Sequence, residues 1–185
     1  MMKRLLTCAA CLMLFAAAGC AGKPATHDLD TPEKAAVETT ADAHKAVLKT
    51  LNASIAPAEV FSAVAAQYKG SVAFIDLWAT WCPPCRRAMA EVDKIKPALQ
   101  QKGCKFVYLT GETSPLDDFN AMYKTIEGDH FRLTDAQFKG VMEKFEVSGI
   151  PHYVLIDRQG NILWQHTGYP GNDEVQSQIE VALAK

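Results

Sequence analysis

Residues 78–89 read WATWCPPCRRAM, and the reading of the chain turns on their two cysteines, Cys82 and Cys85, separated by two prolines. Such a pair serves as half of a zinc site, as a structural disulfide, or as a dithiol that cycles between reduced and oxidised forms. A structural zinc site takes four ligands, from two such pairs or from one pair and two spaced histidines. Here there is one pair; Cys104 stands alone, and His152 and His166 lack the short helical spacing of a ligand pair. A purely structural bridge is also a poor fit, because a loop closed between residues three apart removes little entropy from the unfolded chain.

The flanking sequence favours reactivity. SVAFIDLWA (71–79) is a nearly continuous apolar run, the pattern of a strand buried on both faces. Residues 84–101 follow as a helical pattern in which Pro97 demands a kink. Cys82 therefore falls where unpaired backbone N–H groups and the positive end of the helix dipole favour a thiolate. Cys85, one turn in, is expected to be more buried and to act second.

Outward from this segment the chain alternates helices and strands. A helix is expected over 57–68, with Val60, Phe61 and Val64 on one face, and a buried strand at KFVYLT (105–110). Ser114 is expected to cap a helix reaching about Ile126. HFRL (130–133) reads as a short extended piece, and Thr134 or Asp135 as the cap of a helix to Phe145. HYVLID and NILWQH, joined by Arg158-Gln159-Gly160, read as a hairpin, and an amphipathic helix closes the chain over 174–184. The expected fold is an α/β three-layer sandwich with a mixed central sheet flanked by helices.

The N-terminal end reads differently. MMKRLLTCAACLMLFAAAGC opens on Lys3 and Arg4 and carries an apolar run over 5–19, shorter than the roughly 20 residues a spanning helix needs. It is the pattern of a secretory leader, 1–19. Ala17-Ala18-Gly19-Cys20 resembles a bacterial lipobox, which implies a lipid on Cys20 and a bilayer anchor. Ala17 stands where leucine is usual, so cleavage nearby without lipid is the alternative. Residues 20–30, small, polar and proline-containing, suit a tether. Thr31-Pro32-Glu33 reads as the cap of a helix running to about Leu51 within an extension over 31–55, and the domain itself takes 56–185. With the leader gone, 17 basic residues face 21 acidic ones, a balance that gives no footing for nucleic acid. Of six cysteines, Cys8 and Cys11 leave and Cys20 carries lipid, so Cys82, Cys85 and Cys104 remain, too few for a disulfide scaffold.

IDLWATWCPPC (75–85) resembles the active segment of thioredoxins, and SGIPHYVLIDRQGNIL (148–163) resembles their second signature, a proline leading into a hairpin. With the leader, the tether and the helix inserted over 114–126, residues 57–185 resemble the TlpA/ResA group of membrane-tethered, thioredoxin-like thiol–disulfide oxidoreductases. The resemblance implies that Cys82 and Cys85 form the redox-active disulfide. It implies that Pro151 is the cis-proline beside the pair and that the Ile150 backbone pairs with a bound substrate strand. Asp76 matches the buried aspartate of thioredoxins, where it accepts the Cys85 proton as that thiol attacks the mixed disulfide; a charge between Ile75 and Leu77 in an apolar strand is costly without a task. Many TlpA-like proteins carry asparagine there, so the chain leans towards the reductases. Trp81 matches the apolar lip that receives substrate, while Trp78 reads as core. Cys104 reads as a small core residue. His152 either lies near Cys82 and lowers its pKa or merely fills a strand position.

The implied protein works on the periplasmic side of a bacterial membrane, takes protein disulfides as substrates, needs no cofactor or metal, and draws electrons from a membrane-embedded thiol transporter. Two rivals stay open. A copper-binding metallochaperone of the same fold uses two cysteines and a histidine, but predicts three residues between the cysteines where this chain has two. An oxidant of folding proteins differs only in the direction of electron flow.

Overall fold

The computed structural model describes residues 45–185. The expected leader, Cys20, the tether and the first part of the 31–55 extension lie outside them. The elements follow as β1 (Ala46–Lys49), a single 3-10 turn (Pro57–Glu59), α1 (Val60–Ala66), β2 (Ala73–Leu77), α2 (Pro83–Val92), α3 (Lys96–Gln101), β3 (Lys105–Thr110), α4 (Leu116–Tyr123), β4 (Gly128–Arg132), α5 (Asp135–Lys144), β5 (His152–Ile156), β6 (Ile162–Thr167) and α6 (Asn172–Leu183). The strands form one mixed sheet in the order β1-β4-β3-β2-β5-β6. β1, β4, β3 and β2 run parallel; β5 is antiparallel to β2, and β6 to β5.

Strand side chains alternate between faces, and the sheet divides two cores accordingly. Ala73, Ile75 and Leu77 of β2 join Val107 and Leu109 of β3 and Val154 and Ile156 of β5 beneath α1 and α5. Phe74 of β2 points the other way, with Phe106 and Tyr108, Tyr153 and Leu155, into a core shared with α2, α3, α4 and α6. That second core includes Trp78, which is fully buried, and both Cys82 and Cys85. Each large apolar side chain buried there contributes about 1.5–3 kcal/mol. α5 closes against the 3-10 turn at Gly140, where a Cβ would stand 2.5 Å from the Pro57 carbonyl oxygen, so a side chain there would push the two elements apart.

Most expected elements are present, and Thr134 caps α5 in a reciprocal capping box with Gln137. Three expectations need correction. Residues 46–49, placed in a helix reaching about Leu51, are strand β1, paired in parallel register with β4 from Ala46–Gly128 to Lys49–Phe131. The helix expected over 84–101 is two helices. The break falls at Asp93–Ile95, and Pro97 lies in the first turn of α3, where its missing N–H costs nothing. Ser114 does not cap α4. Pro115 is the N-cap residue, and the serine, fully buried, is used elsewhere.

Candidate functional site

At the C-terminal end of β2 the chain crosses Trp78 and Ala79 and enters α2 at Cys82, the N-cap residue. Cys82 and Cys85 are joined in a disulfide with Cα atoms 5.3 Å apart. Cys82 Sγ accepts the Cys85 backbone N–H at 3.2 Å, so the sulfur takes the place that a serine or aspartate oxygen takes in an ordinary cap. A thiolate released there on reduction has that N–H and the helix dipole to stabilise it. Cys85 is wholly buried and Cys82 is 3 % exposed. The order expected for their burial holds, although in the disulfide form both sulfurs sit low.

Ile150 and Pro151 approach from the far end of the chain. The Ile150–Pro151 peptide is cis, and Cys82 Sγ lies 3.7 Å from the Ile150 carbonyl oxygen. Trp81 stands out beside them, 57 % exposed, and walls an open groove of about 560 Å³ shared with Arg86, Asp118, Ala121 and Met122. The groove runs between the cysteine segment and α4.

Asp76 lies beneath this surface. Alternation along β2 turns it to the face that holds Phe74 and Cys85. Only 2 % of it is exposed, and its Oδ1 has no hydrogen-bond partner. Burial, opposed by the charge of Lys96, pushes its pKa up to about 8. Its register partners on either side are Tyr108 and Tyr153, whose hydroxyls also lack partners.

The remaining candidates fall into place by contact. His152 is buried; its Nδ1 lies 2.9 Å from Thr167 Oγ1 and its ring against Phe145. Burial pushes its pKa down to about 4, so the imidazole is neutral at ordinary pH and brings no positive charge to Cys82. Cys104 is buried and burial pushes its thiol up to about 12, the state of an inert packing residue. Among the described residues, no three His, Cys, Asp or Glu side chains gather into a group that could hold a metal ion.

Two contributors were not foreseen as such. Ser114 Oγ accepts the Thr80 backbone N–H at 3.0 Å and lies 2.8 Å from Thr110 Oγ1, tying the segment that carries Trp81 and Cys82 to the end of β3. Serine before proline reads as a helix cap, and only the approach of a segment 34 residues away reassigns its hydroxyl. Lys96 is the second. A lysine three residues after Asp93 reads as one half of a surface pair, yet it is 2 % exposed.

The Redoxin family model matches residues 36–183 of the 185. The chain belongs to the Redoxin family. Its similarity to the thiol-disulfide oxidoreductase ResA of Bacillus thuringiensis is 24 % identity over 120 residues, covering 64 % of this chain and 65 % of that one. The chain thus spans just under two thirds of the length of that curated relative. Among solved structures, a Chlorobium tepidum protein assigned as the thiol:disulfide interchange protein DsbE aligns with a TM-score of 0.52 at 26 % identity, over 64 % of this chain and 84 % of that one. The thioredoxin domain of a thiol-disulfide oxidoreductase from Bacteroides vulgatus aligns at 0.52 and 22 % identity, over 63 % and 83 %. The fold of this Redoxin domain is thioredoxin-like, and its curated relatives include the ResA kind that the motifs pointed to.

Proposed function

We propose that the protein is a thiol–disulfide oxidoreductase that reduces protein disulfides outside the cytoplasm. The observation that carries this reading is the Cys82–Cys85 disulfide at the start of α2, with Cys82 Sγ both capping the helix and facing the Ile150 carbonyl. In the reduced protein, Cys82 thiolate attacks one sulfur of a substrate disulfide and the other leaves as a thiolate. Cys85 then gives its proton to Asp76 and attacks Cys82 Sγ, which expels the second substrate thiolate and re-forms the Cys82–Cys85 disulfide. Two electrons pass to the substrate, and no cofactor enters. The Ile150 backbone pairs with the substrate strand beside Pro151, and Trp81 receives its apolar side chains.

The reduced full chain, mixed with a protein that carries an exposed disulfide, is expected to release two substrate thiols for each Cys82–Cys85 bridge formed. Release of none, with both cysteines still reduced, would overturn the reading.

A reductase in a compartment that favours disulfides needs an electron source. A membrane-embedded thiol transporter fits, and a lipid on Cys20 would keep the domain beside it. The small residues Ala18 and Gly19 ahead of Cys20 support that anchor. Cys20→Ala is expected to move the protein from the membrane fraction to the soluble one on fractionation of its own cells; an unchanged distribution rules out this anchor.

A further inference from the structure

Among the described residues, Asp76 is the only buried carboxylate and Lys96 the only buried Lys or Arg. A single buried anion and a single buried cation on one side of one sheet call for a joint account, because each is costly alone in the interior.

Lys96 begins α3, just past the break after α2. Its ammonium is paired with the Asp93 carboxylate and donates to the Glu127 carbonyl oxygen at 3.2 Å. It lies 5.2 Å from the centre of the Tyr108 ring and 5.7 Å from that of Phe106. Tyr108 is the register partner of Asp76 on the neighbouring strand, so the two side chains leave the sheet on the same face. The cation is therefore one ring away from the carboxylate. Asp93, the other half of the pair, is 47 % exposed, so water screens its charge far more than that of the lysine. What the pair projects towards Asp76 is a net positive field.

The other groups around the two offer no alternative. Tyr108 from β3 and Tyr153 from β5 face Asp76 with hydroxyls whose ionisation burial pushes up. His130 from β4 stacks on Tyr108 at 4.8 Å, its pKa pushed down to about 4 by burial, so it is neutral. From α2, Cys85 brings only its sulfur.

We propose that Lys96 is a positioning residue of the resolving step: the ammonium that Asp93 and the Glu127 carbonyl fix beside Tyr108 is the counter-charge under which Asp76 ionises. This rests on the reading of Asp76 as the acceptor of the Cys85 proton. No donor reaches Oδ1 of the carboxylate to hold charge there. Without Lys96, burial alone would leave it protonated across the working range and unable to take a further proton. Lys96 touches neither sulfur nor substrate; it acts through Asp76.

The test uses the full chain in its disulfide form, so that neither active cysteine titrates, with aspartate carrying 13C at the carboxyl. The Asp76 signal is the one missing from Asp76→Asn, and its shift is followed against pH. The midpoint is expected near 8. Lys96→Met should move it up by about one unit or more, and Lys96→Arg, which keeps the charge, should leave it close to its starting value. Lys96→Gln, polar but uncharged, should move it up as Lys96→Met does. A merely structural role predicts no such split between the charged and the uncharged replacements. An unmoved midpoint in Lys96→Met, or equal movement in Lys96→Met and Lys96→Arg, overturns the proposal. Should Lys96→Met fail to fold, Lys96→Gln decides, upward for the proposal and unmoved or downward against it. The resolving rate of Asp76→Asn is measured alongside: an unaltered rate removes Asp76 as acceptor, whereas a slowed rate with no shift in the uncharged Lys96 variants removes Lys96 alone.

Discussion

Asp76→Asn is expected to slow the resolving step on the order of 10²-fold near neutral pH, the usual worth of a positioned general base. Asparagine keeps the shape of the side chain but takes no proton. In the unchanged chain the rate should climb as Asp76 ionises, around pH 8, because only the carboxylate accepts the Cys85 proton. The variant lacks that rise, because asparagine takes up no proton at any pH in the range. Release of the second substrate thiol after formation of the mixed disulfide, followed from pH 6 to 10, gives both curves. Superimposed profiles would remove Asp76 from the mechanism.

The same burial has a consequence for stability. The Asp76 pKa is raised on folding from 3.8 to about 8, so the folded state binds the proton more tightly than the unfolded chain does. Stability that is full below pH 4 is lost as the pH climbs towards 8. Asparagine has no such loss, so Asp76→Asn should be slower yet more resistant to heat at pH 8, the pattern of a group kept for chemistry at a cost to folding.

The active segment and the hairpin were legible in sequence because their signals are local. An apolar run ending in WCPPC, period-2 alternation on both sides of Arg158-Gln159-Gly160, and the Thr134–Gln137 box each lie within a few residues. What escaped depends on distant partners. β1 is four residues long, with Val47 and Leu48 exposed, and among the described residues it pairs only with residues some 80 positions later; after an alanine-rich stretch, AVLK carries no local sign of a strand. Periodicity runs across Pro97 and points to a kink, whereas the helix stops at Asp93–Ile95 and a second one starts. The roles of Ser114 and Lys96 likewise come from Thr80 and from Tyr108 and Glu127, which tertiary packing alone delivers.

The order of attack is the central claim, and it separates disulfide exchange from metal handling. Cys82 holds the helix-cap position beside Ile150, while Cys85 is wholly buried one turn in. In the proposed reaction the first covalent bond to substrate therefore forms at Cys82, and the mixed disulfide is short-lived because Cys85 lies next to it. Removing Cys85 should leave that bond standing. Cys85→Ala, expressed in its own cells with thiols blocked at lysis, is expected to accumulate disulfide-linked adducts that vanish on reduction, while Cys82→Ala yields none; mass spectrometry of the adducts names the partners. Equal trapping by both variants would contradict the assigned order, and no trapping by either, alongside stoichiometric copper binding that requires both cysteines, would contradict disulfide exchange itself.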